Sequence, residues 1–279
     1  MTVLITGVPR SGTTLCCSVL NQHKNTVALH EPIPASRFVD VYEPDDAVME
    51  IRKFSLETYK KIKSSHIAPT KQKDGTLPTN PVEEGFRQSL RKEVVSLGEI
   101  KIVKELEDPF VLAIKHNALF ASLLVRLDEH FRIYGIVRNP LSLICSWRTV
   151  DLPVSRGRVP MGERFDANLR DRLIRAKSVT VRQLIVIQWF FERFRNFLSP
   201  DRILRYEDVV LSKGCCLSVI SGDPDSPVDL NMRYEYGALN ILAINEIRDA
   251  LTSISDSFGP WYSKKDILDE AERVLDAST

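Results

Sequence analysis

The absences in this chain narrow the field first. No apolar run approaches the roughly 18 residues that a membrane-spanning helix needs, so no span is expected. The first residues show no basic stretch, apolar segment and small-residue cleavage site; they enter a strand-like run at once, and no leader is expected. An excess of either charge is missing too. The 38 Lys and Arg and 37 Asp and Glu leave a net charge of +1, which gives no global pull toward nucleic acid or a membrane. Any anion site must therefore be local. Cysteine is scarce and badly spaced for a framework: Cys16, Cys17, Cys145, Cys215 and Cys216 are odd in number, and four of them form adjacent pairs. Zinc-ligand spacing is also lacking, so no metal site is expected. Reduced thiols in a cytoplasmic protein are the natural reading. No internal repeat, low-complexity segment or shift in composition marks a boundary, and 1–279 is expected to be one domain, long enough to bury a core.

What is present is a series of short apolar runs rich in β-branched residues, at 3–5, 27–29, 100–103, 111–114, 133–137 and 203–204. Near-continuous apolar strands imply a sheet covered on both faces. Helical patterns at 14–23, 117–129 and 140–150 follow strands directly, and 184–198 places Ile187, Phe190, Phe191, Phe194 and Leu198 at helical spacing. Strands alternating with helices predict an α/β fold, a central parallel sheet flanked by helices. Segments 66–81 and 222–227 read as loops or lids.

One turn stands out. Gly7-Val8-Pro9-Arg10-Ser11-Gly12-Thr13-Thr14 joins the first strand to the first helix. Such a turn aims backbone N–H groups at one point, and the helix dipole adds positive character there. The glycine spacing matches a nucleotide loop of the form G-x-x-x-x-G-K-[ST], yet Thr13 stands where the lysine belongs. A nucleoside triphosphate would lose its main charge partner. A second candidate anion clamp follows the strand at 133–137. Arg138 ends that strand, Asn139 suits a cap and Pro140 a first helical position. Ser146 lies eight residues after Arg138 and one helical turn from Ser142. Helical side chains lean toward the N-terminus, so Ser146 should point back to Arg138 and make a phosphate clamp with it.

The string 9–15 resembles the 5′-phosphosulfate loop of sulfotransferases, P-[KR]-S-G-T-T-[LW], and Arg138 with Ser146 resembles that family's 3′-phosphate motif. The likeness covers 2–31 and 111–150 well and 184–210 loosely, and omits 39–99. It implies a P-loop-like, sulfotransferase-type fold. It also implies the donor 3′-phosphoadenosine-5′-phosphosulfate (PAPS), with adenosine 3′,5′-bisphosphate as product and no metal requirement. Donor contacts carried over by the resemblance are Arg10, Ser11, Gly12, Thr13, Thr14, Leu15, Arg138, Ser146 and Tyr206, the last near the adenine, with Trp189 as a further flank. Lys115, at a strand's carboxyl end where such folds bind ligands, is expected to stabilise the bridging oxygen alongside Arg10. Glu31 stands where tyrosylprotein sulfotransferases carry their general base. His30 and His116 are its rivals, because cytosolic sulfotransferases use histidine. The family's C-terminal R-K-G-x-x-G loop is absent, and 257–263 is the candidate substitute.

The expected activity is sulfuryl transfer to a hydroxyl or N–H of a small molecule, in the manner of secondary metabolism. Acceptor walls are expected from insertions at about 32–99 and 151–175. The acidic cluster Glu105, Glu107 and Asp108 could receive a cationic acceptor, and 156–182 carries eight basic residues against three acidic ones, which reads as a solvated amphipathic face or an anion-binding one. No nucleic-acid or membrane partner is expected, and a homo-oligomer is left open. A kinase of the nucleotide-loop class and a non-catalytic nucleotide-binding module are the alternatives.

Overall fold

Five strands build the centre. In the computed structural model, which describes residues 1–85, 89–223, 227–232, 236, 239 and 241–277, β1 (Thr2–Gly7), β2 (Thr26–His30), β5 (Val111–Lys115), β6 (Arg132–Val137) and β7 (Ile203–Arg205) pair in the order β2-β5-β1-β6-β7. Every pairing is parallel. The twelve helices among the described residues are α1 (Thr13–Leu20), α2 (Pro44–Ser65), α3 (Asn117–Ser122), α4 (Leu124–Asp128), α5 (Pro140–Trp147), α6 (Pro160–Phe165), α7 (Ala167–Arg175), α8 (Val179–Phe197), α9 (Tyr206–Leu211), α10 (Ser218–Ser221), α11 (Ile241–Thr252) and α12 (Lys264–Asp276). None of them is long and apolar enough to cross a membrane.

Burial on both faces explains why the strands read as unbroken apolar runs. Side chains alternate along a strand. Val3 and Ile5 join Cys16, Cys17, Leu20, Val209 and Leu217 on one face. Leu4, Leu112, Ile114 and Ile133 join Phe120, Leu141, Trp147, Phe190 and Phe194 on the other. The stripe Ile187, Phe190, Phe191 and Phe194 on α8 is fully buried. Each such side chain contributes about 1.5–3 kcal/mol relative to exposure. All five cysteines are unpaired, and burial pushes the Cys17 and Cys145 thiols up to about 12.

Local signals hold where a cap or a break is strong. Asn139 caps α5, its side-chain oxygen accepting from the Leu141 N–H, with Pro140 in the first turn. Three expectations are corrected. The run at 100–103 is no central strand. It falls at the end of β4 (Ser96–Lys101), which pairs antiparallel with β3 (Ile67–Gln72) in a separate two-stranded ribbon. Glu99 and Lys101 alternate with Ile100 there, and only the isoleucine is buried, so the run suits a half-covered ribbon. For the same reason 66–81 is not wholly a loop; Pro69 is tolerated in β3 because the ribbon has free edges. The pattern at 117–129 breaks at Leu123 into α3 and α4. Of the loop expected at 222–227, residues 224–226 lie outside the described residues.

Candidate active site

All five central strands release a polar residue at the same edge of the sheet. β1 runs into the glycine turn, β2 into Glu31, β5 ends on Lys115, β6 runs into Arg138 and β7 into Tyr206. The parallel register sets their spacing: Lys115 is the partner of both Ile5 and His30, and Gly7 is the partner of Ile136. A cavity of about 660 Å³ opens over these ends, and Arg10, Glu31, Lys115, Arg138, Ser146 and Tyr206 all line it. Its size is that of a small-molecule site, and carboxyl ends of parallel strands are where α/β sheets bind ligands.

The turn is shaped by two glycines. A Cβ on Gly7 would meet the Thr13 side chain at 2.5 Å and the Ile136 carbonyl at 2.7 Å. Gly12 has φ 86°, and a Cβ there would meet the Tyr206 ring at 2.4 Å. The first α1 amide bonded within the helix belongs to Cys16, which donates to the Gly12 carbonyl. The N–H groups of Thr13, Thr14 and Leu15 therefore stand at the helix start without intrahelical acceptors. Gly12, Thr13, Thr14 and Leu15 line the cavity. Ser11 is used differently from the expectation. Its side chain is buried and donates to the Ile136 carbonyl at 2.9 Å, and its N–H donates to the Val8 carbonyl. It ties the loop to β6 and does not extend into the cavity.

Arg10 takes a left-handed backbone, φ 72°, a conformation that costs a non-glycine residue about 1–3 kcal/mol and persists only under strong surrounding constraint. Its Nε donates to Ser146 Oγ at 3.2 Å and its Nη1 to Asn80 Oδ1 at 3.0 Å. Burial and the neighbouring guanidiniums of Arg91 and Arg138 bring its pKa down to about 10. Arg138 donates to the Arg10 carbonyl at 3.4 Å and to the Tyr236 hydroxyl at 2.9 Å, with its Cζ 4.4 Å from the Tyr206 ring centroid. Burial works against its charge, but Tyr236, Tyr206, Glu207 and Glu270 more than offset it and push the pKa up. The two motifs line one cavity, because β1 and β6 are adjacent. One expectation changes here. Ser146 holds Arg10 rather than pairing with Arg138, since α5 carries it past the strand end toward the turn. Ser142 is spent on Glu270.

A second cluster surrounds Glu31. This residue also sits at positive φ, 44°, with its N–H donating to the Lys115 carbonyl at 2.8 Å. Lys115 Nζ lies 2.8 Å from Glu31 Oε1 and 3.3 Å from His30 Nδ1. Lys71, on β3, reaches Glu31 Oε2 at 3.0 Å and Glu93 at 2.8 Å. Burial alone would raise the Glu31 carboxyl; Lys115 first, then His30, Lys71 and His116, hold it well below the usual carboxylate range. Burial, then Lys115, drives the His30 pKa well below its ordinary value. Burial lowers His116 to about 3, helped by Lys115 and Lys71. Its Nε2 accepts from the Ile33 N–H at 3.1 Å, which caps its basic nitrogen. His30 spends Nδ1 on Lys115 and leaves Nε2 buried without a partner. Glu31 is the ionised acceptor in the cluster.

Other expected residues lie elsewhere. Trp189 is in the core, its indole N–H donating to Asp166 at 2.8 Å and its ring 3.2 Å from where a Cβ on Gly162 would stand. Glu107 and Asp108 precede β5, at the opposite edge of the sheet, and pair with Lys24 and Lys63; they receive no ligand of this cavity. Glu105 precedes β5 as well. In 257–263, Phe258 is core and Tyr262 donates to Glu207, and the cavity lining includes none of this segment's residues. The basic stretch 156–182 divides: Arg158 lines the cavity and pairs with Glu163, whereas Arg164 binds the carbonyls of Phe38, Val39 and Val41. Lys71, Asn80, Arg91 and Tyr236 also line the cavity and were not among the expected site residues. They lie outside any motif, and Lys71 falls in the stretch 66–81 that reads as a loop. No family model matches the chain, and no curated protein matches it.

Proposed function

We propose that the chain is a sulfotransferase that moves a sulfuryl group from PAPS to a hydroxyl or N–H of a small molecule. The observation that carries this reading is convergence. A glycine turn without the nucleotide-loop lysine and a strand-end arginine far away in sequence share one cavity, with an ion-paired carboxylate and lysine at its other end. The residues present suit the donor. Helix-start amides at Thr13, Thr14 and Leu15 with the Arg10 guanidinium suit a 5′-phosphosulfate. Arg138, buried and fully charged, suits a 3′-phosphate, and the Tyr206 ring offers a flat face beside it.

The protein's own groups then divide the work. Sulfuryl transfer is an in-line displacement at a tetrahedral centre with a loose transition state, so positioning and charge stabilisation dominate. Lys115 offers its ammonium to the oxygen that leaves sulfur. Glu31 accepts the acceptor's proton while the acceptor oxygen or nitrogen bonds to sulfur. The bond from sulfur to the phosphate oxygen breaks, and the bisphosphate departs. Leu152, Val154, Val159 and Met161 form an apolar side of the cavity, suited to the acceptor's body.

Thermal unfolding tests the reading. Adenosine 3′,5′-bisphosphate at about 100 times its Kd should add about 2.7 kcal/mol of stability and raise Tm by several degrees, while ATP with Mg²⁺ should leave Tm unchanged. Stabilisation by ATP–Mg²⁺ and none by the bisphosphate would replace this reading with the kinase one.

A further inference from the structure

Glu31 is gripped from two sides by lysines of unequal burial. Lys115 is 2% exposed at the end of a strand flanked by β1 and β2. Lys71 stands on the two-stranded ribbon with 28% of its side chain exposed, and it already touches a second carboxylate, Glu93, at 2.8 Å. Thr70 fastens the ribbon to β2: its hydroxyl accepts from the His30 N–H at 2.9 Å and donates to the His30 carbonyl at 3.2 Å. The Lys71 backbone is therefore fixed while its long side chain has two anions within reach. In this resting arrangement both oxygens of Glu31 carry an ammonium partner. A base must be within hydrogen-bond reach of the proton it takes; an ammonium on Oε2 fills one of that oxygen's lone pairs and makes it less basic, so releasing it both opens and strengthens the base.

We propose that Lys71 is a latch on Glu31: it holds Oε2 in the resting site and passes wholly to Glu93 when an acceptor's O–H or N–H takes that oxygen. Lys115 cannot play this part, being buried between His30 and Glu31. The charged and titratable groups facing Glu31 are Lys115 and His116 from β5 and the residue after it, His30 from β2, Lys71 from β3 and Cys17 from α1. Glu93 faces Lys71 from the segment before β4. Proton transfer then balances simply. The acceptor's proton goes to Oε2 as its heteroatom bonds to sulfur, the sulfur–phosphate oxygen bond breaks, and the Glu31 proton later passes to water as Lys71 returns. Lys71 is a positioning residue; it touches the base and not the reacting atoms. The acceptor step rests on the sulfotransferase reading, whereas the hold of Lys71 on Glu31 does not.

The test is a carbon-13 carboxyl titration of the full chain, with the Glu31 signal assigned by Glu31→Gln. Lys71→Met should raise the Glu31 midpoint by about one pH unit or more, and Lys71→Arg should keep it low. A Glu31 midpoint in Lys71→Met equal to that of the unsubstituted chain overturns the latch. Glu93→Gln removes the alternative partner, so kcat should fall by about tenfold with the donor KM unchanged; an unchanged kcat overturns the hand-over even if Lys71→Met fails to fold. Should the bisphosphate not bind the unsubstituted chain, the sulfotransferase reading fails, and the titration still decides whether Lys71 governs Glu31.

Discussion

The guanidiniums of Arg10 and Arg138 rest on Ser146, Asn80, Tyr236 and the Tyr206 ring, whereas the Glu31 carboxylate rests on two ammonium groups. Ser146 and Asn80 orient Arg10 without cancelling its charge, and beside Arg138 the carboxylates of Glu207 and Glu270 favour the charged guanidinium. Paired ions cancel one another and leave a corner that is nearly neutral at rest. One end of the cavity is thus built to take an anion and the other to take a proton. Both ends use left-handed, non-glycine backbone, at Arg10 and at Glu31. Strain of that kind belongs to positions that the surrounding fold over-determines.

Substitutions at the two ends should separate binding from turnover. The largest expected effect is at Glu31. Glu31→Gln should lower kcat by about 10²- to 10⁴-fold while the bisphosphate still raises Tm; loss of that stabilisation would join the two ends into one function. Lys115→Ala comes next, with a loss of about 3–4 kcal/mol of barrier stabilisation, read as a fall in kcat/KM in steady-state kinetics. Gly12→Ala acts at the anion end. The added Cβ meets Tyr206 at a positive φ, and the left-handed penalty alone is about 1–2 kcal/mol. Lower stability in urea and weaker bisphosphate binding are expected, with kcat at saturating donor nearly unchanged.

The smallest effect comes from the proton end. His116 titrates near 6.5 in the unfolded chain and at about 3 in the fold. Between those values the unfolded state binds more protons, so stability is full above about pH 6.5 and falls as pH drops through the window. His116→Gln should lose less stability than the unsubstituted chain between pH 7 and 5.5, measured by urea unfolding. An identical loss in both would mean that His116 is not held neutral by burial.

Much of the anion end was legible because its determinants are local. A strand, a glycine turn and a helix start are consecutive, and Asn139-Pro140 announces α5. Glu31 and Lys115 could be placed because each ends a short apolar run. What escaped depends on closure over distance. Nothing around Ser146 says that it will meet Arg10, since that contact needs β1 and β6 side by side. Lys71 and Asn80 lie on and beyond a ribbon that lacks an unbroken apolar signature, and Tyr236 has no motif around it. The run at 100–103 misled for a complementary reason: β-branched residues mark a strand without naming its sheet.

The central claim is that one compound bridges both arginines. Calorimetric titration of adenosine 3′,5′-bisphosphate, adenosine 5′-monophosphate and adenosine 3′-monophosphate into the unsubstituted chain, Arg10→Ala and Arg138→Ala tests it directly. One bisphosphate should bind per chain and lose affinity in both variants, with Arg10→Ala weakening the 5′-compound more and Arg138→Ala the 3′-compound more. Bisphosphate binding that ignores both substitutions, or no binding at all, would contradict the account.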